Sequence, residues 1–236
     1  MQGTKLPLIK WFQAIVLILN ARKGISSRQL ARDLEVNKDT AWYLQMRIRM
    51  AMDESDAILK GIVEADETFV GGKRKNLHRS QRLELAEECG TGYQTMKPVL
   101  GMLQREGKII TKVLEKAYGS AIKPILKRHI ARRATLVTDG FGGYANMGQY
   151  FNDHQILNHE SDQWVRGIFH TNTLEGFWSI FKRGIIGQYH QVSRRYLQLY
   201  VNEFSFRYNH RQHSDLFTFL LSRVLSTSTK SLSLAA

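Results

Sequence analysis

The sequence has little of several features that would mark other protein classes. It has a single cysteine, Cys89, so an internal disulfide and a zinc site built from several cysteines are both excluded. With only 3 prolines in 236 residues, it has no collagen-like or low-complexity segment. The apolar run at residues 11–19 is shorter than the roughly 20 residues that span a bilayer, and it lacks a signal-peptide cleavage site. We therefore expect a cytoplasmic globular protein without a membrane segment.

The sequence also has few acidic residues relative to its basic residues. The chain has 34 Lys and Arg against 21 Asp and Glu, which gives a formal net charge of +13. A basic surplus of this size favours a polyanionic partner, either nucleic acid or an anionic membrane surface. The length suits one large domain or a small one plus a medium one, and the 43% apolar content is enough for a sizeable core.

The first part of the chain, residues 1–55, has the pattern of three short helices. Apolar residues at helical spacing predict these helices within residues 6–52, with Ser26 or Ser27 and then Asn37 as caps. Two short helices joined by a tight turn are typical of a helix-turn-helix, although a bundle that only packs against the next domain has the same pattern. The DNA contacts predicted for the third helix are Lys38, Asp39, Thr40 and Tyr43 in the major groove, with Arg47 and Arg49 near phosphates.

Residues 56–225 have the pattern of an α/β domain, and we expect the tail 226–236 to be frayed. Three strands, a helix, a strand, a short helix or turn, a strand and closing helices follow one another. This order predicts a mixed sheet flanked by helices. The predicted strands are 62–70, 97–104, 108–114, 136–138 and 154–158, and the predicted helices are 120–131 (capped by Ser120), 173–184 and 193–211.

Three acidic residues lie at positions in the sequence pattern that are typical of metal-binding carboxylates. Asp66 and Asp139 each end an apolar, strand-like run, and Glu175 lies at the start of a helical pattern. Carboxylates on rigid elements lose little entropy on binding Mg²⁺, which prefers oxygen ligands. Two acids on strand ends and one on a facing helix can hold the pair of divalent ions used for phosphoryl transfer.

The residues alone leave two assignments open. Glu64 lies on the same strand face as Asp66, so it is a supporting group, or the ligand itself if the register shifts by two; Glu67 points the opposite way. Asn172, one turn before Glu175, is either a neutral oxygen ligand or the helix cap. Lys182, seven residues after Glu175, lies on the same helix face and suits a DNA phosphate.

Three sequence runs resemble those of insertion-sequence transposases, most closely the ISXO-like transposase domain of insertion-sequence family 1595. They are Val63-Glu-Ala-Asp-Glu-Thr-Phe-Val-Gly-Gly72, Val137-Thr-Asp-Gly-Phe-Gly-Gly-Tyr144 and His170-Thr-Asn-Thr-Leu-Glu-Gly-Phe-Trp-Ser-Ile-Phe-Lys-Arg-Gly184. The resemblance spans residues 5–215. It implies an RNase H-like fold and an acidic triad of Asp66, Asp139 and Glu175, with two Mg²⁺ or Mn²⁺ ions. Because some relatives have asparagine as the third residue of this triad, Asn172 is an alternative to Glu175.

The resemblance implies a DNA transposase that cuts element ends and joins them to target DNA, and joining two ends implies a homo-oligomer. The chain departs from many family members in having no cysteine-rich zinc ribbon before the helices. Two rival functions are an RNase H-like nuclease such as a junction resolvase, and an inactive transposase that only binds DNA. The basic residues predicted to hold DNA in the second domain are Lys73, Arg74, Lys75, Lys182 and Arg183.

Overall fold

The computed structural model describes residues 4–54, 56–71, 96–157 and 168–226. The chain forms two compact units. A helical unit comprises Met1–Glu54, Arg183–His190 and Leu199–Ala236, and a sheet unit comprises Ser55–Lys182 and Gln191–Gln198. Both predicted domains were contiguous in sequence, whereas these packing units are not. The division at residues 55 and 225 stays a prediction, since units of packing are not by themselves domains.

Seven α-helices and five strands make up the described residues, apart from short 3₁₀ and π-helical turns. The helices are α1 (Leu8–Asn20), α2 (Ser27–Leu34), α3 (Lys38–Ala51), α4 (Gly119–His129), α5 (Asn172–Gly184), α6 (Leu197–Asn209) and α7 (Leu216–Ser226). The strands are β1 (Ile62–Val70), β2 (Lys97–Gln104), β3 (Ile109–Val113), β4 (Thr135–Asp139) and β5 (Asp153–Leu157).

Side-chain caps start helices α2 and α3, as predicted. The Ser26 side chain accepts a hydrogen bond from the Gln29 N–H at 3.2 Å, and Asn37 accepts one from the Asp39 N–H at 2.8 Å. Between these helices Glu35 adopts a left-handed conformation, with φ 52°. Helices α2 and α3 are thus joined by a tight turn. The core of the helical unit contains buried residues from both ends of the chain, among them Trp11, Ile15, Leu30, Leu44 and Phe206.

The five strands of the sheet unit form one mixed sheet in the order β3-β2-β1-β4-β5. Strand β1 is antiparallel to β2 and parallel to β4, and β4 is parallel to β5. This strand order, with helices flanking the sheet, confirms the predicted RNase H-like fold. The core of one face packs Val63 and Ala65 of β1 with Ile122 and Leu126 of α4.

Several predicted element boundaries need correction. The β4–β5 connection contains only the 3₁₀ turns Gly142–Tyr144 and Met147–Gln149, because its glycines favour tight turns over a helix. Helix α4 begins at Gly119, so Tyr118 takes the N-cap position predicted for Ser120. A π-helical turn, Ile185–Tyr189, and helix α7 had not been predicted. No helix in the described ranges is long and apolar enough to cross a membrane.

Candidate active site

Asp139 is the last residue of β4, as predicted, whereas Asp66 lies in the middle of β1, which continues to Val70, so its predicted place at a strand end was wrong. Both aspartates lie just beyond the paired part of these two parallel strands. Their shared register pairs Glu64 of β1 with Val137 of β4, and each aspartate lies two positions further along its strand. Because side chains alternate along a strand, both aspartates lie on the same sheet face as this pair. The side chain of Asp139 also accepts a hydrogen bond from the Phe141 N–H at 3.1 Å, which fixes it to the following loop.

The three predicted acids affect one another electrostatically. Burial raises the pKa of Asp66 from 3.8 to about 6, and the charges of Asp139 and, to a smaller extent, Glu175 act in the same direction. The structure therefore brings Asp66 within electrostatic range of both other acids. Like charges gathered in this way disfavour one another until a cation joins them.

Trp178 of α5 orients the Asp66 carboxylate. Its indole Nε1–H donates a hydrogen bond to Oδ2 of Asp66 at 3.1 Å. The ring reaches this position because Gly101, the cross-strand partner of Asp66, has no side chain. A Cβ at residue 101 would lie 2.5 Å from Cζ2 of Trp178 and 2.9 Å from Cδ1 of Leu174. Trp178 is buried, and its bond to the site was not predicted from the sequence.

Glu67 is a fourth carboxylate that sequence reasoning set aside. It accepts a hydrogen bond from the hydroxyl of Tyr144, a buried residue in the loop after β4. Burial raises the pKa of Glu67 from 4.5 to about 7, and the charges of Asp139 and Asp66 contribute to the rise. The only signal in the sequence was that Glu67 and Tyr144 fall within two of the family-like runs.

Glu64 holds the start of α5. It is fully buried and accepts hydrogen bonds from the Thr173 hydroxyl and the Leu174 N–H, both at 3.0 Å, and from Nη2 of Arg105 at 3.1 Å. Both carboxylate oxygens are therefore engaged by protein groups. This occupancy favours the supporting role for Glu64 over the role of a metal ligand.

The first turn of α5 positions Glu175. The helix begins at Asn172, so the preceding Thr171 takes the cap position proposed for Asn172. Thr171 donates a hydrogen bond from its hydroxyl to Oε1 of Glu175 at 3.0 Å, while Glu175 stays exposed. Lys182 is exposed on the same helix. Asn172 as an alternative ligand stays a prediction.

The donor set fits Mg²⁺ or Mn²⁺, although no closed cage exists. Within residues 4–54, 56–71, 96–157 and 168–226, no three Asp, Glu, His or Cys side chains are grouped so that they could hold one ion. What is present is an open set of oxygen donors around Asp66. The Thr68 hydroxyl is buried without a hydrogen-bond partner, and it lies on the same strand face two residues after Asp66. Hard oxygen donors with an unsatisfied hydroxyl suit a divalent ion that keeps several waters.

A sequence profile for the ISXO2-like transposase domain matches residues 58–209, which is more than half of the chain. The chain belongs to this transposase family. The matched range contains all three predicted acids. An uncharacterised protein in the transposable element ISH50 of Halobacterium salinarum is 28% identical over 208 residues, which cover 85% of this chain and 69% of that protein.

Solved transposase structures give a weaker match. The Mos1 strand transfer complex matches with a TM-score of 0.29 and 15% identity, covering 96% of this chain and 80% of that chain. The pre-cleavage Mos1 transpososome matches with a TM-score of 0.31 and 14% identity, covering 96% and 81%. The strand order identifies the fold, and the sequence profile identifies the family.

Helix α3 precedes the transposase domain in the chain. Most of the residues on α3 that were predicted to contact DNA are accessible. The side chain of Lys38 is 60% exposed, Tyr43 is 47% exposed, and Thr40 and Arg47 are half-buried. Thr40 and Tyr43 also line a pocket of about 380 Å³.

Arg49 was wrongly predicted to lie near phosphates. It is fully buried in the helical unit, where it pairs with Glu203 at 2.5 Å, because its position on α3 faces the core. Of the other predicted cations, Lys182 and Arg183 are exposed, whereas Lys73, Arg74 and Lys75 lie outside the described residues.

Proposed function

We propose that this transposase cuts DNA at the ends of an insertion sequence and joins the freed 3′ ends to target DNA. The observation that supports this most is that Asp66 and Asp139 lie on one face of neighbouring strands, with the charges of Asp139 and Glu175 both acting on Asp66. A group of carboxylates in a strongly basic protein suits a site where divalent ions and DNA phosphates meet.

The three acids have distinct roles in this proposal. Asp66 and Asp139 would hold one Mg²⁺ or Mn²⁺ ion, and Asp66 and Glu175 would hold the other. When bound, such a pair activates the attacking oxygen and stabilises the leaving 3′-oxygen of an in-line displacement. Trp178 keeps the Asp66 carboxylate in one orientation, and Thr171 does the same for Glu175. Fixing these oxygens in advance lowers the reorganisation needed during reaction.

DNA binding is assigned to exposed basic residues. Lys182 shares a helix with Glu175, so it contacts a phosphate close to the cleaved bond, with Arg183 following it. The exposed start of α3 reads sequence in the major groove, as a helix-turn-helix does. Because phosphate neutralisation releases counterions, binding should weaken steeply with added salt. Joining two element ends also calls for more than one copy of the chain.

A cleavage assay on DNA flanking the natural gene tests this proposal. Labelled fragments are incubated with Mg²⁺ or Mn²⁺ and either the native protein, Asp66→Asn, or Glu175→Gln. We expect strand cuts and joined products from the native protein and neither product from either variant, because each variant loses a carboxylate that would hold a metal ion. Glu115→Gln is the matched control, because its side chain is 88% exposed and lies outside the proposed site.

A second readout separates an inactive DNA-binding protein from a wrong site assignment. Mn²⁺ binding to the free protein is followed by electron paramagnetic resonance, with Asn172→Ala included. Loss of binding in Glu175→Gln but not in Asn172→Ala would assign the third ligand to Glu175. Tight DNA binding without Mn²⁺ binding or cleavage would identify a binding protein instead. Cutting restricted to branched DNA would identify a resolvase.

A further inference from the structure

We propose that Glu67 is a positioning residue which, through Tyr144, holds the loop after Asp139 against strand β1. The link joins β1, next to Asp66, to the loop that follows Asp139 at the end of β4. This inference rests on the proposed function for its purpose, but the link itself can be tested without catalysis.

Tyr144 is a fixed anchor for this link. It is only 1% exposed and belongs to the core cluster that also contains Ile122, Leu126 and Ala65. Ala65 and Glu67 lie on the same face of β1, since residues two apart share a face. The Tyr144 hydroxyl therefore reaches along that face from the core to the Glu67 carboxylate.

The loop between Asp139 and Tyr144 has little freedom of its own. Asp139 accepts a hydrogen bond from the Phe141 N–H, and the Phe141 carbonyl accepts one from the Tyr144 N–H at 3.0 Å. A Cβ at Gly143 would lie 2.4 Å from Cε1 of Phe141, so the ring packs directly on the backbone. A Cβ at Gly119 would come within 3.0 Å of the Gly143 carbonyl oxygen. A shift of Tyr144 would therefore be passed along the loop to Asp139.

Two other roles for Glu67 fit the geometry less well. A direct metal ligand would share the strand face of Asp66, whereas Glu67 lies on the opposite face with one oxygen bonded to Tyr144. A purely stabilising residue would not be a carboxylate, because burying a negative charge beside two others opposes folding. If Glu67 holds the loop after Asp139 against β1, this role explains its position. It also explains why an unfavourable free energy of charge burial is tolerated there.

Four variants test the link with two measurements. Glu67→Gln keeps an oxygen acceptor, Glu67→Ala removes it, Tyr144→Phe removes the donor, and Glu67→Ala/Tyr144→Phe removes both. We expect amide hydrogen exchange at residues 139–144 to speed up in every variant except Glu67→Gln. We expect Mn²⁺ affinity to fall about 10- to 100-fold in the same three variants, with the double variant no weaker than either single one.

The alternatives give different patterns. Loss of Mn²⁺ binding in Glu67→Gln, as in Asp66→Asn, would make Glu67 a ligand and overturn the proposal. Native exchange at residues 139–144 in Tyr144→Phe would show that no link exists. If the native protein binds no Mn²⁺, the proposed function fails, and hydrogen exchange alone still decides on the link. Tyr118→Phe is the control, since that ring is 59% exposed, and thermal melts confirm that each variant is folded.

Discussion

Each compact unit holds a cluster of charged side chains, but carboxylate charge is balanced by arginines in only one of them. In the helical unit, the fully buried Glu203 pairs with Arg49 and Arg207. In the sheet unit, Asp66, Glu67 and Asp139 all carry the same sign. The first cluster therefore contains ion pairs, whereas the carboxylates of the second repel one another.

The pKa values of the two clusters move in opposite directions for this reason. Although burial acts to raise it, the pKa of Glu203 is lowered by the charges of Arg207 and Arg49. Burial and the Asp139 charge together raise the pKa of Asp66 to about 6. Glu203 is fully buried and Asp66 is half-buried, and their pKa values shift in opposite directions because the neighbouring charges differ. We infer that the first cluster serves the fold and the second serves the chemistry.

The largest expected effect comes from breaking the balanced cluster. Glu203→Ala would leave Arg49 buried without its carboxylate partner and Arg207 without its ion pair. Removing one member of a buried ion pair typically costs about 3–5 kcal/mol of unfolding free energy. Urea unfolding followed by circular dichroism measures this loss. Glu115→Ala is the exposed control, and a Glu203→Ala loss as small as that of the control would show that the cluster contributes nothing to the fold.

Crowding the unbalanced cluster should have the next largest effect. Gly101→Ala places a methyl group in the position of the Trp178 ring, so Trp178 must move away from Asp66. Overpacking of this kind costs about 1–3 kcal/mol of unfolding free energy. We also expect Mn²⁺ affinity to fall, because Asp66 loses the bond that orients it.

Gly148→Ala provides the comparison for that experiment. A Cβ at residue 148 meets only Cβ of His154, at 3.8 Å, which is ordinary contact. Native Mn²⁺ affinity in Gly101→Ala, together with a clear loss of stability, would separate the packing of Trp178 from the orientation of Asp66.

Removing a charge from the unbalanced cluster should stabilise the fold. An acid whose folded pKa is raised binds its proton more readily in the folded state, so its stability contribution falls as pH rises from about 4 to 6 and stays unfavourable above that range. Asp66→Asn should therefore gain about 1–2 kcal/mol at pH 7.5, after allowance for solvent screening. Unfolding free energies measured between pH 5 and pH 8 test this sign. Asp153→Asn is the control, and a destabilised Asp66→Asn at pH 7.5 would refute the comparison.

Local patterns predicted the sheet well. Strand β1 has the predicted bounds, because alternating side chains and the glycines after Val70 define it locally. Asp139 ends β4 as predicted, whereas Asp66 lies inside β1, and the roles of both acids stay predictions. The caps Ser26 and Asn37 were also local features of the sequence.

The contacts that complete each cluster could not be predicted in the same way. Trp178 is 112 residues from Asp66, and Glu203 is 154 residues from Arg49. Such pairs depend on how helices pack on the sheet and on one another, which spacing along the chain does not encode. Arg49 was misplaced for this reason, since nothing near it in the sequence reveals its partner.

The smallest expected effect comes from removing a single hydroxyl group beside the balanced cluster. In the helical unit, the Tyr189 hydroxyl accepts a hydrogen bond from Nη2 of Arg49 at 3.1 Å and donates to Glu203 at 3.3 Å. Tyr189→Phe should cost about 1 kcal/mol, because the Arg49–Glu203 pair persists without it. Mn²⁺ affinity should not change, in contrast to the loss expected for Tyr144→Phe. Urea unfolding and Mn²⁺ titration of both variants measure this contrast, and an equal loss of metal affinity in the two would show that the balanced cluster also supports the site.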